Sequence, residues 1–322
     1  MCKIKTTILD KIIILIFTLI IFSSTANADK ITSNDVFTEV KIIQDRIHTI
    51  HKFFHINHIH LNEDDEKLKL DAILKPRNTW QKTYEIMIKI NILRTKHNLP
   101  IIEPVNMDPV LHLSPASVYE QTQRILTELN IFMLRLGIKN KDDIKALKYH
   151  NKKPLDIYKA LSSVSSALDE LNKESLTSSY VFGEMMRVYD DTTKIMQYLH
   201  IQDDTIPTKR YENISVNDTF KRSLQILNKI KYIQTSLGIE SVSFYGFKKD
   251  ELVSSDVFGM VQMIIAELQP IKASIGLNHY ITPAATQYEN KTSADVDQMM
   301  GWILRKIVLL DREIREKQEI EK

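Results

Sequence analysis

The sequence predicts an all-α protein made of two tandem four-helix bundles, and three observations support this. An apolar row with steps of four, three, four, three and four residues occurs eight times. Such a 3.5-residue period is typical of helices that pack side by side at shallow angles. The rows fall into two similar groups of four, and eight of the nine prolines lie outside them. Each row predicts a helix of about 22 residues, or about 33 Å.

Residues 1–28 have the pattern of a cleaved signal peptide. Three lysines flank the start of the apolar run 12–22, and Ala26-Asn27-Ala28 supplies small residues for the cut. An uncleaved anchor is the alternative, but the run is shorter than the roughly 20 residues that span a bilayer. We therefore expect an exported chain that begins at Asp29, with no further membrane span.

Composition excludes several functional classes. Cys2 is the only cysteine and lies in the leader, so the mature chain has no disulfide, thiolate or Cys-ligated metal. A cysteine-free exported chain of this length indicates a bacterial periplasm. Residues 1–28 contain three of the 43 basic and one of the 41 acidic residues, which leaves the remainder with no net charge. Nucleic acid is therefore not an expected partner.

The spacing of the rows indicates an internal duplication. The rows start 43, 39, 39, 24, 38, 38 and 39 residues apart, so one short gap separates two similar sets. We expect the first four-helix unit in residues 29–175 and the second in residues 176–322. The eight starting positions are Val36, Thr79, Val118, Ile157, Val181, Thr219, Val257 and Val296.

The two halves match helix by helix. Helix one contains Val36-Phe37 and ends near His55-Ile56, while helix five contains Val181-Phe182 and ends near His200-Ile201. Helix two opens with the segment 79–82 (Thr-Trp-Gln-Lys), and helix six opens with Thr-Phe-Lys-Arg.

Helices three and seven show the closest match. Both contain Val followed by an aromatic residue, then a glutamine, a Glu-Leu pair and a final glycine at Gly137 and Gly276. Helices four and eight share the apolar row, from Ile157 and from Val296. Together these matches predict a duplicated four-helix unit.

The predicted boundaries agree with local chemistry. Ser, Thr or Asp precedes most rows as an N-cap, and Gly137 and Gly238 stand at helix ends. Pro270 lies inside helix seven, where it should kink the helix or remove a hydrogen bond. We expect short helices in the connectors 64–74 and 142–149. An up-down bundle is the expected topology, although connectors of 15 residues can span about 50 Å and run back along the bundle. An α-solenoid is the alternative fold.

A histidine row is the main candidate for a metal site. Its members lie beside the core row of helix one or in the following loop: His48, His51, His55, His58 and His60. Imidazoles at steps of three and four can converge on Zn²⁺, Cu²⁺ or Ni²⁺. The alternative is a polar boundary row satisfied by backbone carbonyls. The duplicate helix has Thr193, Met196 and His200 at the matching positions, which weakens the metal interpretation.

Two further sets of residues recur in both halves. Glu128 and Glu267 flank core leucines, so interhelical ion pairs are favoured over a pair of catalytic carboxylates. Gln123 and Gln262 are expected to fix helix packing. An aromatic residue follows the first row position in seven helices, which predicts a core layer rather than a ligand pocket: Phe37, Trp80, Tyr119, Tyr158, Phe182, Phe220 and Phe258.

The functional prediction follows from these features. The chain has no phosphate-binding glycine loop, nucleophile elbow or zinc-protease motif, so we expect no enzymatic activity and no cofactor. A periplasmic interaction or scaffold protein with an envelope protein partner is the leading hypothesis. A metal- or small-ligand-binding protein is the alternative. Helix-face pairing also makes a homo-oligomer plausible.

Overall fold

A computed structural model describes residues 30–56, 69–139, 147–174, 176–248 and 251–320. The predicted leader, residues 1–28, lies outside these ranges. The all-α prediction is confirmed, since the described chain is mainly helical and its helices pack against one another. Its helices are α1 (Ser33–Phe53), α2 (Pro76–Lys96), α3 (Pro115–Arg135), α4 (Pro154–Asn172), α5 (Ser178–Tyr198), α6 (Val216–Ser236), α7 (Ser254–Ser274) and α8 (Ser293–Ile320).

The described connectors also contain two short strands. β1 (Lys69–Ile73) precedes α2 and pairs antiparallel with β2 (Ser243–Lys248), which precedes α7. The short helix predicted in residues 64–74 is therefore wrong in its described part, because these residues pair with a distant strand. Of the second predicted short helix, residues 147–149 are not helical, and residues 142–146 lie outside the described ranges.

Each half of the chain forms a bundle of four helices. In the first, α1 and α2 each contact both α3 and α4; in the second, α5 and α6 each contact both α7 and α8. The cyclic order α1-α3-α2-α4 is thus repeated as α5-α7-α6-α8. Two clusters of buried apolar residues fill the bundles, and the apolar rows line them. Ile264, in the middle of the α7 row, is fully buried.

All four helices of a bundle run in the same direction. In the first bundle, Gln44 donates to Ser163 and His51 to the Ala167 carbonyl, so the contacts between α1 and α4 advance together along both helices. In the second, Tyr189 contacts Trp302, and Lys317 further along α8 donates to the Leu199 carbonyl just beyond α5. The expected up-down topology is therefore wrong. A row fixes which face is buried, but it does not fix the helix direction.

Extended connectors, here called return segments, make this topology possible. The segment 199–215 runs backwards along α8, since Asp203 pairs with Lys306 and Arg210 with Asp295. Residues 275–292 likewise run backwards along α5, with Thr282 beside Asp191 and Lys291 beside Ser179. A helix plus its return segment accounts for the repeat of 38 or 39 residues.

Two glycines allow the return segments to approach the helices closely. A Cβ on Gly183 of α5 would lie 2.7 Å from the Thr286 carbonyl oxygen. A Cβ on Gly301 of α8 would lie 2.5 Å from Thr208 Oγ1. Both distances are shorter than a carbon–oxygen contact allows, so these helix positions require glycine for packing.

The short connector between α4 and α5 reverses the direction of the chain. Residues 173–177 are too few to return along a helix of about 30 Å. The second bundle is therefore antiparallel to the first. Contacts between α2 and α7 show this directly, since Arg77 meets Glu267 while Gln81, further along α2, meets Gln262, which lies earlier on α7.

A local signature marks the start of most helices. The residue before the apolar row accepts a hydrogen bond from the N-cap backbone N–H, as Asp35 does from Thr32 and Asp218 does from Ser215. Such a contact satisfies one of the unpaired N–H groups of the first turn. The same bond is made by Asn78, Asp156, Asp256 and Asp295.

Helix ends follow a second signature. A residue with positive φ is followed by an apolar residue whose N–H bonds back to a carbonyl in the last turn. Glycine takes the positive-φ position in α3, α6 and α7, while Asn98 takes it in α2 and His55 in α1. Pro270 lies within the unbroken span of α7, where its missing N–H leaves one carbonyl of the previous turn without its usual donor.

Candidate functional site

The histidines predicted to bind metal have separate environments where they are described. His51 is fully buried, and its Nε2 donates to the Ala167 carbonyl at 2.9 Å. Burial lowers its pKa, and the Ala167 hydrogen bond opposes this only in part. His51 therefore joins α1 to α4 through a backbone carbonyl, as the boundary-row alternative expects.

The other members of the histidine row lie around the end of α1. His48 is half-buried, and burial followed by the Lys52 charge lowers its pKa. His55 is exposed and has φ of 55°, so it occupies the helix-ending position that glycine takes elsewhere. His58 and His60 lie outside the described residues. Among the residues the structure describes, no group of three His, Cys, Asp or Glu side chains is placed to hold a metal ion.

His51 belongs to a repeated position of the duplicated fold. It stands 14 residues after Phe37, as Arg94 does after Trp80 and Lys272 after Phe258. Asn172 and Gln234 have the same spacing from Tyr158 and Phe220. All five side chains are buried and polar, and each bonds to a neighbouring helix. The contacts are His51–Ala167, Arg94–Glu128, Asn172–Lys89, Gln234–Glu267 and Lys272–Asp191.

The acceptors also occupy one repeated position. Glu128 stands nine residues after Tyr119, and Glu267 has the same spacing from Phe258, as do the other three acceptors from their own aromatic residues. The bonds therefore follow one direction around each bundle. In the first bundle they go from α1 to α4, from α4 to α2 and from α2 to α3. In the second they go from α6 to α7 and from α7 to α5. We call this set of five contacts the polar layer. It explains why Glu128 and Glu267 match between the halves.

The Asp191–Lys272 pair is the most deeply buried part of the polar layer. Lys272 Nζ lies 3.0 Å from Asp191 Oδ1, and both side chains are 0% exposed. Thr282 of the return segment donates to Asp191 Oδ2 at 2.8 Å and accepts from Lys272 Nζ at 2.8 Å. Burial raises the pKa of Asp191 and lowers that of Lys272, and each partner's charge opposes the shift of the other. The cluster fixes the return segment between α5 and α7.

The interface between the bundles, here called the seam, is polar on both helices that form it. Glu267 of α7 accepts from Arg77 Nε and Nη2 at 2.8 Å each and from Asn78 Nδ2 at 2.8 Å, all on α2. Gln81 of α2 bonds to Gln262 of α7. Gln262 thus fixes helix packing, as the sequence predicts, but it does so between bundles.

A second ionic cluster lies beside the seam. Glu85 accepts from Lys82 at 2.8 Å and from the Ser165 hydroxyl at 2.5 Å, and Lys89 lies 3.5 Å away. Burial opposes ionisation of Glu85, but the two ammonium groups outweigh it and lower its pKa. A Cβ on Gly259 would lie 3.3 Å from Glu85 Oε2, so α7 packs directly over this carboxylate.

Arg187 extends the polar contacts between the halves. Its guanidinium donates to Glu184 at 2.6 Å, to Asn106 at 2.9 Å and to the Pro283 carbonyl at 2.7 Å. The same group lies 4.8 Å from the centre of the Tyr84 ring. Burial, with a contribution from Glu184, raises the pKa of Tyr84 well above its usual value. Arg187 therefore ties α5 to α2, to the connector between α2 and α3 that contains Asn106, and to the return segment 275–292.

The repeated aromatic residues lie in the cores or at their margins. Phe37, Trp80, Tyr158, Phe220 and Phe258 are buried, whereas Tyr119 and Phe182 are half-buried.

A shallow open groove of about 430 Å³ lies between the return segment at Asp204 and the outer face of α8 at Leu304 and Val308. None of the repeated aromatic residues lines it.

The sequence identified only part of this arrangement. It singled out His51, Glu128 and Glu267, but Asp191, Lys272 and Arg187 were missed. For Asp191 and Lys272, the spacing from the repeated aromatic residues was the available signal; Arg187 has no such repeated spacing. The polar layer joins helices through closed pairs, and it does not present a free reactive group to a cleft.

Comparisons with protein-family models, curated proteins and solved structures found no match. Among the helices that the structure describes, none combines the length and apolar character needed to cross a bilayer.

Proposed function

We propose that this protein is a non-enzymatic interaction or scaffold module of the bacterial periplasm, which binds a protein partner in the cell envelope. The observation that carries the proposal is apolar exposure on the outer helix faces. Leu134 and Ile131 of α3 are 76% and 38% exposed, and Tyr232 of α6 is 50% exposed. Leu134 and Ile131 stand three residues apart on α3 and so share one helix face, and exposed apolar faces are typical of protein interaction sites.

The buried polar groups support a structural platform. The buried side chains of the polar layer and the seam bond to another helix or to a return segment. Desolvated charges of this kind cost free energy unless they are paired, and pairing fixes the relative position of the elements they join. These contacts thus hold the two bundles in a fixed relative position and support the outer helix faces.

Photo-crosslinking in living cells tests this function. A photoreactive amino acid replaces Leu134 or Tyr232, and in a matched control it replaces Arg312, which is 62% exposed on α8. We expect a discrete protein adduct from the α3 and α6 positions after ultraviolet illumination. Equal labelling at all three positions, or none at Leu134 and Tyr232, would reject the proposal.

A further inference from the structure

Within the part of the chain that the structure describes, the duplication leaves two helix faces without the partner that their counterparts have. The seam joins α2 of the first bundle to α7 of the second. By the order of the repeats, α2 corresponds to α6, and α7 corresponds to α3. The faces of α3 and α6 that correspond to the seam therefore point outward, one on each bundle.

Residues of α7 that are buried in the seam have exposed counterparts in α3. In α7, Gly259, Ala266 and Pro270 are buried, and the first bundle packs over Gly259. The matched residues of α3, each 139 positions earlier, are Glu120, Thr127 and Ile131, and all three are exposed.

The same comparison holds for the other helix pair. Gln81 and Glu85 of α2 are buried, and Gln81 bonds to α7 across the seam. Their counterparts in α6, 140 positions later, are Lys221 and Gln225, and both are exposed. Ile92 of α2 packs against the core of the second bundle, whereas its counterpart Tyr232 is half exposed.

If α3 of one copy packs against α6 of another with the residue pairing that α7 and α2 have in the seam, compatible side chains meet. In the seam, Arg77 faces Glu267 and Gln81 faces Gln262. The corresponding pairs between two copies are Asn217 with Glu128 and Lys221 with Gln123. These are polar pairs capable of hydrogen bonding in the middle of the contact.

Apolar side chains meet at both ends of the same register. Leu134 comes opposite Tyr211, which is 56% exposed, and Ile131 comes opposite Ile214. At the other end, Tyr232 comes opposite Leu113. The seam already contains a precedent, because Leu74, the counterpart of Ile214, packs into the core of the second bundle. The exposed apolar residues thus coincide with the ends of a repeated interface.

We propose that the partner of these faces is a second copy of this chain, with α3 of one copy packed antiparallel against α6 of the next. This inference rests on the proposed scaffold function and names its partner. Because the contact joins two different faces, it is heterologous and produces an open row or a closed ring of copies.

Self-association of the untagged protein, purified from the periplasm, tests the inference by sedimentation velocity over a hundredfold range of concentration. We expect wild-type protein to form dimers and larger species. Leu134→Asp and Tyr232→Asp should each weaken association at least tenfold, because each removes one of the two faces. Val308→Asp, at a position 44% exposed on α8, is the matched control and should associate as wild type does.

A mixing experiment identifies the geometry. Leu134→Asp retains the α6 face and Tyr232→Asp retains the α3 face, so an equimolar mixture should form heterodimers that grow no further. Circular dichroism checks that each variant remains folded. Wild type that stays monomeric throughout, or a mixture that stays monomeric, would overturn the inference. Association of Tyr232→Asp alone at the wild-type level would also overturn it, since that result requires contacts between like faces.

The in-cell crosslinks separate this inference from the proposed function. Adducts of twice the chain mass from Leu134 support self-association. Adducts to a different protein, with a monomeric purified chain, would reject self-association and retain the interaction function.

Discussion

Replacement of Lys272 by methionine tests whether the buried Asp191–Lys272 ion pair of the polar layer stabilises the fold. The substitution keeps a long flexible side chain but leaves the Asp191 carboxylate without its ammonium partner in a site with no solvent exposure. Breaking a buried ion pair costs about 3–5 kcal/mol. Asp191 keeps its hydrogen bond from Thr282, so we expect the lower end of that range, about 3 kcal/mol.

Urea denaturation followed by circular dichroism at pH 7 measures this loss. With a slope of about 3 kcal/mol per molar, the midpoint should fall by about 1 M. The double variant Asp191→Leu/Lys272→Met removes both charges, so its loss should be smaller than the sum of the single losses. Arg312→Met is the control, since Arg312 is 62% exposed and its ion pairs are worth less than about 1 kcal/mol.

The pH dependence of the same variant gives a second readout. Burial already raises the pKa of Asp191, and loss of the Lys272 charge should raise it further. A carboxyl whose pKa is higher in the folded state binds a proton more readily when folded, so acidification favours folding. The deficit of Lys272→Met should therefore shrink as the pH falls from 7 towards 5. A loss below about 1 kcal/mol at pH 7, or additive single losses in the double variant, would refute the reasoning.

Four further predictions test other parts of the structure. Ile264→Asp buries a charge at a fully buried row position and should cost about 4 kcal/mol in urea denaturation, whereas an unchanged midpoint would place the α7 row outside the core. Gly183→Ala should lower the stability by about 1–3 kcal/mol because the new Cβ meets the Thr286 carbonyl oxygen, and stability equal to wild type would mean that the return segment does not lie on α5. For the histidine row, His51 already donates to the Ala167 carbonyl, so titration of untagged protein with Zn²⁺, Cu²⁺ and Ni²⁺ should show no stoichiometric binding that depends on the row. Wild-type binding that is lost in the His48→Ala/His51→Ala/His55→Ala variant would restore the metal interpretation. His51→Ala by itself should also lower the stability, since it breaks the bond to Ala167.

The role of His51 shows the limit of residue-type reasoning. Clustered histidines at steps of three and four are compatible with metal binding, and no step along the chain reveals that a carbonyl of α4 faces one of them. The matched positions Arg94 and Lys272 have cationic side chains where His51 has an imidazole, so residue type does not reveal their equivalence; only their shared spacing of 14 residues from the repeated aromatic residues does. Their shared property is burial beside a neighbouring helix.

The sequence by itself determined the local elements. Apolar rows, the Ser, Thr or Asp residues before most of them and the glycines at helix ends predict the helices, because each of these signals acts within one or two turns. The single short gap between the rows of helices four and five also predicts where the first four-helix unit ends and the second begins.

Only the tertiary structure decided the direction and the pairing of the helices. The apolar row of α1 is buried equally well by a parallel or an antiparallel neighbouring helix. A connector of 15 or more residues is long enough for either helix direction. Contacts made far apart in the chain select the parallel arrangement, including Asp203 with Lys306 and Thr282 with Asp191. The seam between α2 and α7 likewise depends on Arg77 meeting Glu267, 190 residues away. Such pairs form only once both bundles are folded, which is why periodicity along the chain does not predict them.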